Sequence, residues 1–225
     1  MQRQIIPTAD GSHTVSIPGM KVTYHSIHGA LQESMHVFIV AGLKELLSRI
    51  QPRGPVHILE VGLGTGLNAL LSLVETETAG FSILYTAMEP FPLLAEEYSG
   101  LNYCATMGRP DLQPVFQAIH ESKWEISTIL LPRFSLLKTR RSLLEYSGTG
   151  RFELVYFDAF APASQPELWT AAVFKKLYEW METNGILVTY CSKGDVRRAL
   201  QEAGFSIEKI PGPPGKREML RATRL

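Results

Sequence analysis

Three carboxylates in this chain stand where apolar runs end. Glu60 closes the run Val56-His-Ile-Leu-Glu60 and precedes Gly62-x-Gly64-x-Gly66. Glu89 ends an aromatic and aliphatic run and precedes Pro90, 23 residues after Gly66. Asp158 follows Leu154-Val-Tyr-Phe157 directly and opens Asp158-Ala-Phe160-Ala-Pro162. A carboxylate leaving a buried strand must be paired or used, because an uncompensated buried charge is costly. At the carboxyl edge of a parallel sheet, where ligands bind, such groups are candidates for chemistry. Glycines in the first loop permit backbone torsions and a close ligand approach that a Cβ would block. Their spacing is neither the G-x-G-x-x-G of dinucleotide binders nor the G-x-x-x-x-G-K of phosphate loops, and no lysine follows. Glu60 would repel a pyrophosphate but suits an amino group. Glu89 is placed to accept from both hydroxyls of a ribose. A ligand with a ribose, an adenine and an ammonium but no phosphate fits, and S-adenosyl-L-methionine is such a ligand.

Phe160 has the character of a stacking platform for a planar base, and Pro162 would stiffen the loop that carries it. The segment Tyr24-His25-Ser26-Ile-His28-Gly29 supplies hydroxyls and imidazoles ahead of a long helix that carries Glu33 and His36. His25, His28 and His36 lack the i, i+4 pattern and third ligand of a zinc site, so no metal is expected. No serine sits in a G-x-S-x-G elbow, which argues against a hydrolase of that type.

These residues need a scaffold of alternating strands and helices. Residues 2–27 alternate in polarity, with turns at Asp10-Gly11 and Pro18-Gly19, and predict short antiparallel strands, a small β-hairpin element ahead of the main fold. Residues 29–50 carry apolar side chains at helical spacing and stop before Pro52. Strands are expected at 56–61, 81–88, 133–138, 153–157, 186–191, 205–210 and 217–224. Helices are expected at 66–76, from Pro166 to about Met181, and after Ser192, which with Asp195 resembles a capping box. Residues 91–130 read as helical, broken by Pro92, Pro110 and Pro114, and Ser147–Gly150 reads as a turn. This order predicts an α/β, doubly wound, mostly parallel sheet of seven strands, the last antiparallel to its predecessor. Residues 1–50 would pack on a main domain of residues 51–225.

Bulk properties exclude several classes. The 225 residues include 22 basic and 22 acidic side chains, so net charge does not select a polyanionic partner. The charges are unevenly placed: eight basic residues (Lys193, Arg197, Arg198, Lys209, Lys216, Arg217, Arg221, Arg224) against four acids fall between 193 and 225, and a second cluster is Arg133, Lys138, Arg140, Arg141. Such patches can meet RNA phosphates. Two cysteines far apart, Cys104 and Cys191, form no disulfide framework. No run reaches the ~18 apolar residues of a membrane span, and the N-terminus has no signal-like apolar stretch. A cytoplasmic monomer is the expectation.

Taken together, these segments resemble the methyltransferase domain of MnmC-type tRNA-modifying enzymes. The likeness is carried by Tyr24-x-Ser26-x-His28-Gly29-x-x-Gln32-Glu33-Ser34-x-His36, by Glu60-x-Gly62-x-Gly64-Thr65-Gly66-Leu67-Asn68, and by Glu89-x-Phe91-Pro92-Leu93. It continues in Phe157-Asp158-x-Phe160-Ala161-Pro162 with Pro166-x-x-Trp169, in Val196-Arg197-Arg198, and in Lys216-Arg217-Glu218-Met219-Leu220. It runs from near residue 24 to near residue 220. The resemblance implies a class I, Rossmann-like methyltransferase fold with S-adenosyl-L-methionine as cofactor. It implies N-methylation of 5-aminomethyl-2-thiouridine at the wobble position, with the tRNA anticodon loop as partner. Glu60, Gly62, Gly64, Thr65, Gly66, Asn68, Glu89, Ser26, His28 and Glu33 would hold the cofactor. Asp158, Phe160 and Pro162 would serve the reaction. Many such enzymes are fused to a flavin-dependent oxidase; with one glycine turn and an end at Leu225, this chain is expected to act on the aminomethyl form alone. Relatives usually carry an acid after the third strand for the adenine amino group, but Leu137-Lys-Thr-Arg-Arg141 has none.

Two other classes remain open at this stage. A transferase acting on a small amine, aminopropyl- or methyl-, would also place an aspartate after the fourth strand, though it needs further acids for a polyamine. A non-catalytic RNA-binding module could keep the fold without binding the cofactor.

Overall fold

A computed structural model describes residues 2–148 and 150–225. The turn expected at Ser147–Gly150 includes Thr149, which lies outside the described residues. Continuous apolar runs form the central strands because both faces of this sheet are covered. Strand β4 (Val56–Val61) sends Ile58 to one core and Leu59 and Val61 to the other. Strand β8 (Phe152–Phe157) divides likewise, Leu154 and Tyr156 to the first core, Val155 and Phe157 to the second. The period of two makes this division automatic.

The chain starts with a three-stranded antiparallel sheet, β1 (Gln4–Pro7), β2 (His13–Ile17) and β3 (Val22–Thr23), in that order. The two or three short antiparallel strands expected over residues 2–27 are three. A continuous helix α1, residues 30–49, follows, and its middle, Met35–Lys44, winds as wider π-turns. Then come β4, α2 (Leu67–Ala79), β5 (Ile83–Met88), α3 (Gln113–Glu121), β6 (Thr128–Leu131), β7 (Phe134–Thr139) and β8. The last third is α4 (Ala171–Trp180), β9 (Met181–Thr189), α5 (Gly194–Glu202), β10 (Ser206–Pro211) and β11 (Glu218–Thr223).

Among the described residues the main sheet has eight strands, ordered β10-β11-β9-β8-β4-β5-β7-β6. That is one more than the seven expected. The addition, β6, lies within the stretch 91–130 read as helical; Ile129 on it is 74% exposed, so this edge strand lacks the buried face that periodicity detects. As expected, β11 runs antiparallel to its predecessor β10, and it also pairs with β9. The capping box does not form: Lys193 precedes the first helical residue, and Asp195 pairs with Arg198 instead. Helix α1 joins the same core as α2 and β4 through Val37, Phe38 and Leu43. No helix among the described residues is long and apolar enough to cross a membrane.

Candidate functional site

The sheet reverses direction at β4. From it the chain moves outward to β5 and β7 on one side, and later to β8 and β9 on the other. The crevice outside the carboxyl ends at such a switch point is where open α/β sheets bind ligands. Val61 pairs with Phe157 in parallel register, so the loops after β4 and β8 leave the sheet side by side. The Asp158 amide donates to the Val61 carbonyl at 3.0 Å. Gly62, at φ +93°, lies so close that a Cβ there would sit 2.8 Å from the Asp158 carbonyl oxygen. The glycine is therefore required both by its torsion and by the approach of the second loop.

Beneath this junction lies a buried carboxylate pair bridged by an amide. The Asn68 Nδ2, from the first turn of α2, donates to Glu60 Oε1 at 2.9 Å and to Asp158 Oδ2 at 2.8 Å. Glu60 is fully buried, and its Oε2 has no partner; Asn68 Oδ1 is likewise buried and unpaired. Burial first, then the Asp158 charge, pushes the Glu60 carboxyl well above its usual range. Burial and the neighbouring Glu33 raise Asp158 to about 7, against the opposing hydrogen bond from Asn68 and the charge of Lys216. Glu60 Oε2 and Asn68 Oδ1 are thus buried acceptors, with the Tyr85 hydroxyl beside Glu60, and neither residue lines the cavity at the glycine loop.

Glu89 organises the other side of the glycine loop. Its Oε2 accepts from the Gly64 amide at 2.9 Å and its Oε1 from the Phe91 amide at 2.8 Å. Each oxygen keeps a further lone pair for an incoming hydroxyl. Glu89 is 7% exposed, and burial raises its pKa against those two hydrogen bonds. It faces a cavity of about 360 Å³ bounded also by Gly62, Gly64, Thr65, Asp158 and Phe160. Ser142, Leu143, Leu144 and Glu145 form another part of its wall. Leu137–Arg141 holds no acid, and the first acid after β7, Glu145, stands on this wall a few residues along.

A second cavity of about 570 Å³ adjoins the first, and Tyr24, His25, Asp158 and Phe160 wall both. Phe160 meets Tyr24 edge to face, ring centroids 5.1 Å apart. The backbone of Phe160 is fixed at both ends: its amide donates to Gln165 Oε1 at 2.9 Å, and its carbonyl accepts from Trp169 Nε1 at 2.8 Å. Ser26 and Glu33 lie on this second cavity and not on the first. Glu33 accepts from the Ser26 amide at 2.7 Å and from Lys216 Nζ at 2.6 Å. His28 lines neither cavity; its ring packs against Gly215. Pro162 bounds a separate hollow with Lys193 and Arg217. The Thr65 hydroxyl is engaged by His25 Nε2 at 2.6 Å, and burial lowers His25 to about 4, so that the imidazole is neutral. In the sequence, Tyr24, His25 and Lys216 stand as a motif residue, a histidine outside any zinc pattern and a basic-cluster residue, and none is assigned to the site. No periodicity marks them, because they come from a short strand end and a loop.

The glycine cradle and the Glu89 carboxylate on the cavity wall fit a ribose-bearing ligand such as S-adenosyl-L-methionine, with Glu60 and Asn68 buried behind that wall. A family model described as S-adenosyl-L-methionine-dependent methyltransferase matches residues 134–225. Fold, site and this match define a class I, Rossmann-like methyltransferase that uses S-adenosyl-L-methionine. The chain is 32% identical over 215 residues to the tRNA 5-methylaminomethyl-2-thiouridine biosynthesis bifunctional protein MnmC of Pseudomonas aeruginosa strain UCBPP-PA14, covering 89% of this chain and 32% of that protein. The MnmC of Paraburkholderia xenovorans is 30% identical over 209 residues, covering 88% of this chain and 31% of the relative. The crystal structure of MNMC2 from Aquifex aeolicus superimposes with a TM-score of 0.79 at 25% identity, over 100% of this chain and 70% of that one. Within its class, the chain is similar to the methyltransferase part of the MnmC proteins. It spans about a third of the length of the curated relatives it matches. A probable spermidine synthase from Corynebacterium glutamicum shares the fold alone, with a TM-score of 0.56 at 16% identity, over 99% of this chain and 77% of that one.

Proposed function

We propose that this chain N-methylates the aminomethyl group of 5-aminomethyl-2-thiouridine at the wobble position of tRNA, forming 5-methylaminomethyl-2-thiouridine. The observation that carries this reading is the position of Asp158, on the seam of the cofactor cavity and a second, acid-lined cavity. S-adenosyl-L-methionine, when bound, supplies a methyl group made electrophilic by a sulfonium.

The chain's own task is to hold a neutral amine in line and to take its proton. Asp158 carries a carboxylate whose pKa of about 7 lets it accept a proton near neutral pH. Asn68 fixes the orientation of that carboxylate through Oδ2, which leaves Oδ1 for the amine. Glu33 adds negative charge that attracts a cationic substrate, while Lys216 balances it. Phe160 and Tyr24, braced edge to face, form a wall suited to a planar base. A base unstacked from a single-stranded loop enters at modest cost. Positioning of this kind supplies much of the rate for a displacement at carbon.

The test is direct: purified chain, S-adenosyl-L-methionine and tRNA from cells arrested at the aminomethyl stage, followed by mass spectrometry of the wobble nucleoside. A gain of one methyl on 5-aminomethyl-2-thiouridine is expected. Recovery of the nucleoside unmethylated, or methylation elsewhere in the tRNA, overturns the reading.

A further inference from the structure

The substrate cavity, lined by two carboxylates and two lysines, has a neighbour richer in positive charge. This hollow of about 450 Å³ is bounded by Pro162, Ser192, Lys193 and Arg217, and it shares Ala161, Tyr190 and Lys216 with the substrate cavity. The two are separate hollows that meet along this wall, and together they make a trough across the surface. On the substrate side stand the carboxylates Asp158 and Glu33, with Lys21 at the outer wall. Lys216 stands at the division, its ammonium held by Glu33 at 2.6 Å and lying 4.0 Å from the Tyr190 ring centroid. On the far side, Lys193 and Arg217 are exposed and, among the described residues, make no ion pair. The carboxylate there, Glu218, is already taken by Lys209 at 2.8 Å.

A ligand that reaches from Asp158 to the far side meets a carboxylate at one end and unpaired cations at the other. A small polyamine has no anion to offer, and would face Lys193 and Arg217 as like charges. A nucleotide with an amine on its base and a phosphodiester on its ribose has both charges. We infer that the hollow bounded by Lys193 and Arg217 is a phosphate subsite, occupied by a phosphodiester adjoining the nucleotide whose base amine enters the acidic cavity. The inference deepens the methylation reading above and rests on it. It makes the trough a selector for an amine that is part of a polynucleotide, because both charges must be met together.

The test compares the wild-type protein with the double variant Lys193→Ala/Arg217→Ala. The substrates are undermodified tRNA and the free nucleoside 5-aminomethyl-2-thiouridine, and tRNA binding is read separately by fluorescence anisotropy across a salt series. For tRNA, KM and Kd are expected to rise about tenfold, with kcat at saturation within about twofold. The slope of log Kd against log salt should fall by about one to two. Turnover of the nucleoside, which carries no phosphate, should stay at the wild-type level. An unchanged tRNA Kd and salt slope overturns the subsite. So does an equal loss on the nucleoside, which would mean that the two residues act through the shape of the site. Failure of the wild type on both substrates instead removes the methylation reading.

Discussion

The two cavities that meet at Asp158 are walled by different kinds of chain. The cofactor side is built chiefly from the ends of adjacent strands: Gly62 to Thr65 after β4, Glu89 after β5, Asp158 after β8. Their spacing follows from sheet register alone. The substrate side recruits distant segments: Ser26 ahead of α1, Glu33 in its first turn, and Lys216 from the loop between β10 and β11. Glu33 and Lys216 are 183 residues apart in sequence and 2.6 Å apart in space. The difference teaches where generality and selectivity lie. The first wall needs only the fold, whereas the second needs the whole chain closed around it.

The sharpest way to break this division is Asp158→Asn. The isostere keeps the cavity shape but cannot accept a proton. Loss of a positioned base costs about 10² to 10⁴ in rate, so kcat for methylation should fall within that range. Cofactor affinity, measured by calorimetry, should stay within a few-fold. A proportional loss of cofactor binding would show that the two walls are one site.

Glu89→Ala tests the opposite wall. It strips the acceptor from the Gly64 and Phe91 amides as well as from a ribose. Hydrogen bonds to a charged group contribute about 1.5–3 kcal/mol each, so S-adenosyl-L-methionine should bind about 10- to 100-fold more weakly. Turnover at saturating cofactor should change little. An unaltered Kd would remove Glu89 from the cofactor site.

The pH dependence of cofactor binding sharpens the same wall at smaller amplitude. Glu60 has a raised pKa when it has no cationic partner. An ammonium beside Oε2 favours the carboxylate, so binding should release a proton. Affinity should therefore rise as pH rises through the acid range, and Glu60→Gln should flatten that dependence while weakening binding several-fold. Equal slopes for the two proteins would mean that Glu60 does not meet the ammonium.

These contrasts also explain what was legible in the sequence. Glu60, Glu89 and Asp158 could be read as strand-end carboxylates because an apolar run announces each strand and the acid marks its end. Their convergence followed from strand order. Glu33 and Ser26 were read as cofactor-site residues only through the motif that surrounds them, and they line the second cavity, not the one at the glycine loop. No local rule states which face of a crevice an N-terminal segment will cover. His28 illustrates the same limit: it shares the motif yet packs on Gly215, outside both cavities. Strand β6 escaped because an exposed edge strand has no buried stripe to betray it. Glu145 escaped because its loop extends past the strand end at which an acid was sought.

The smallest effect expected probes the coupling between the walls. Asp158 is faced by Glu60 from β4, Asn68 from α2, Glu33 from α1, Tyr190 after β9 and Lys216 from the β10–β11 loop. Glu33 raises its pKa, and Lys216 lowers it. Lys216→Met removes the lowering charge and leaves the raising charge uncompensated, so both changes act in one direction. The acid limb of kcat/KM, set near neutrality by Asp158, should move to higher pH. With the free nucleoside as substrate, phosphate contacts do not enter, and the loss should be several-fold below neutral pH and vanish well above it. Lys216→Arg retains the charge and should hold the limb in place. A loss of equal size at every pH would instead mean that Lys216 serves only to pack the loop, and that the distant segments shape the substrate cavity without tuning its carboxylate.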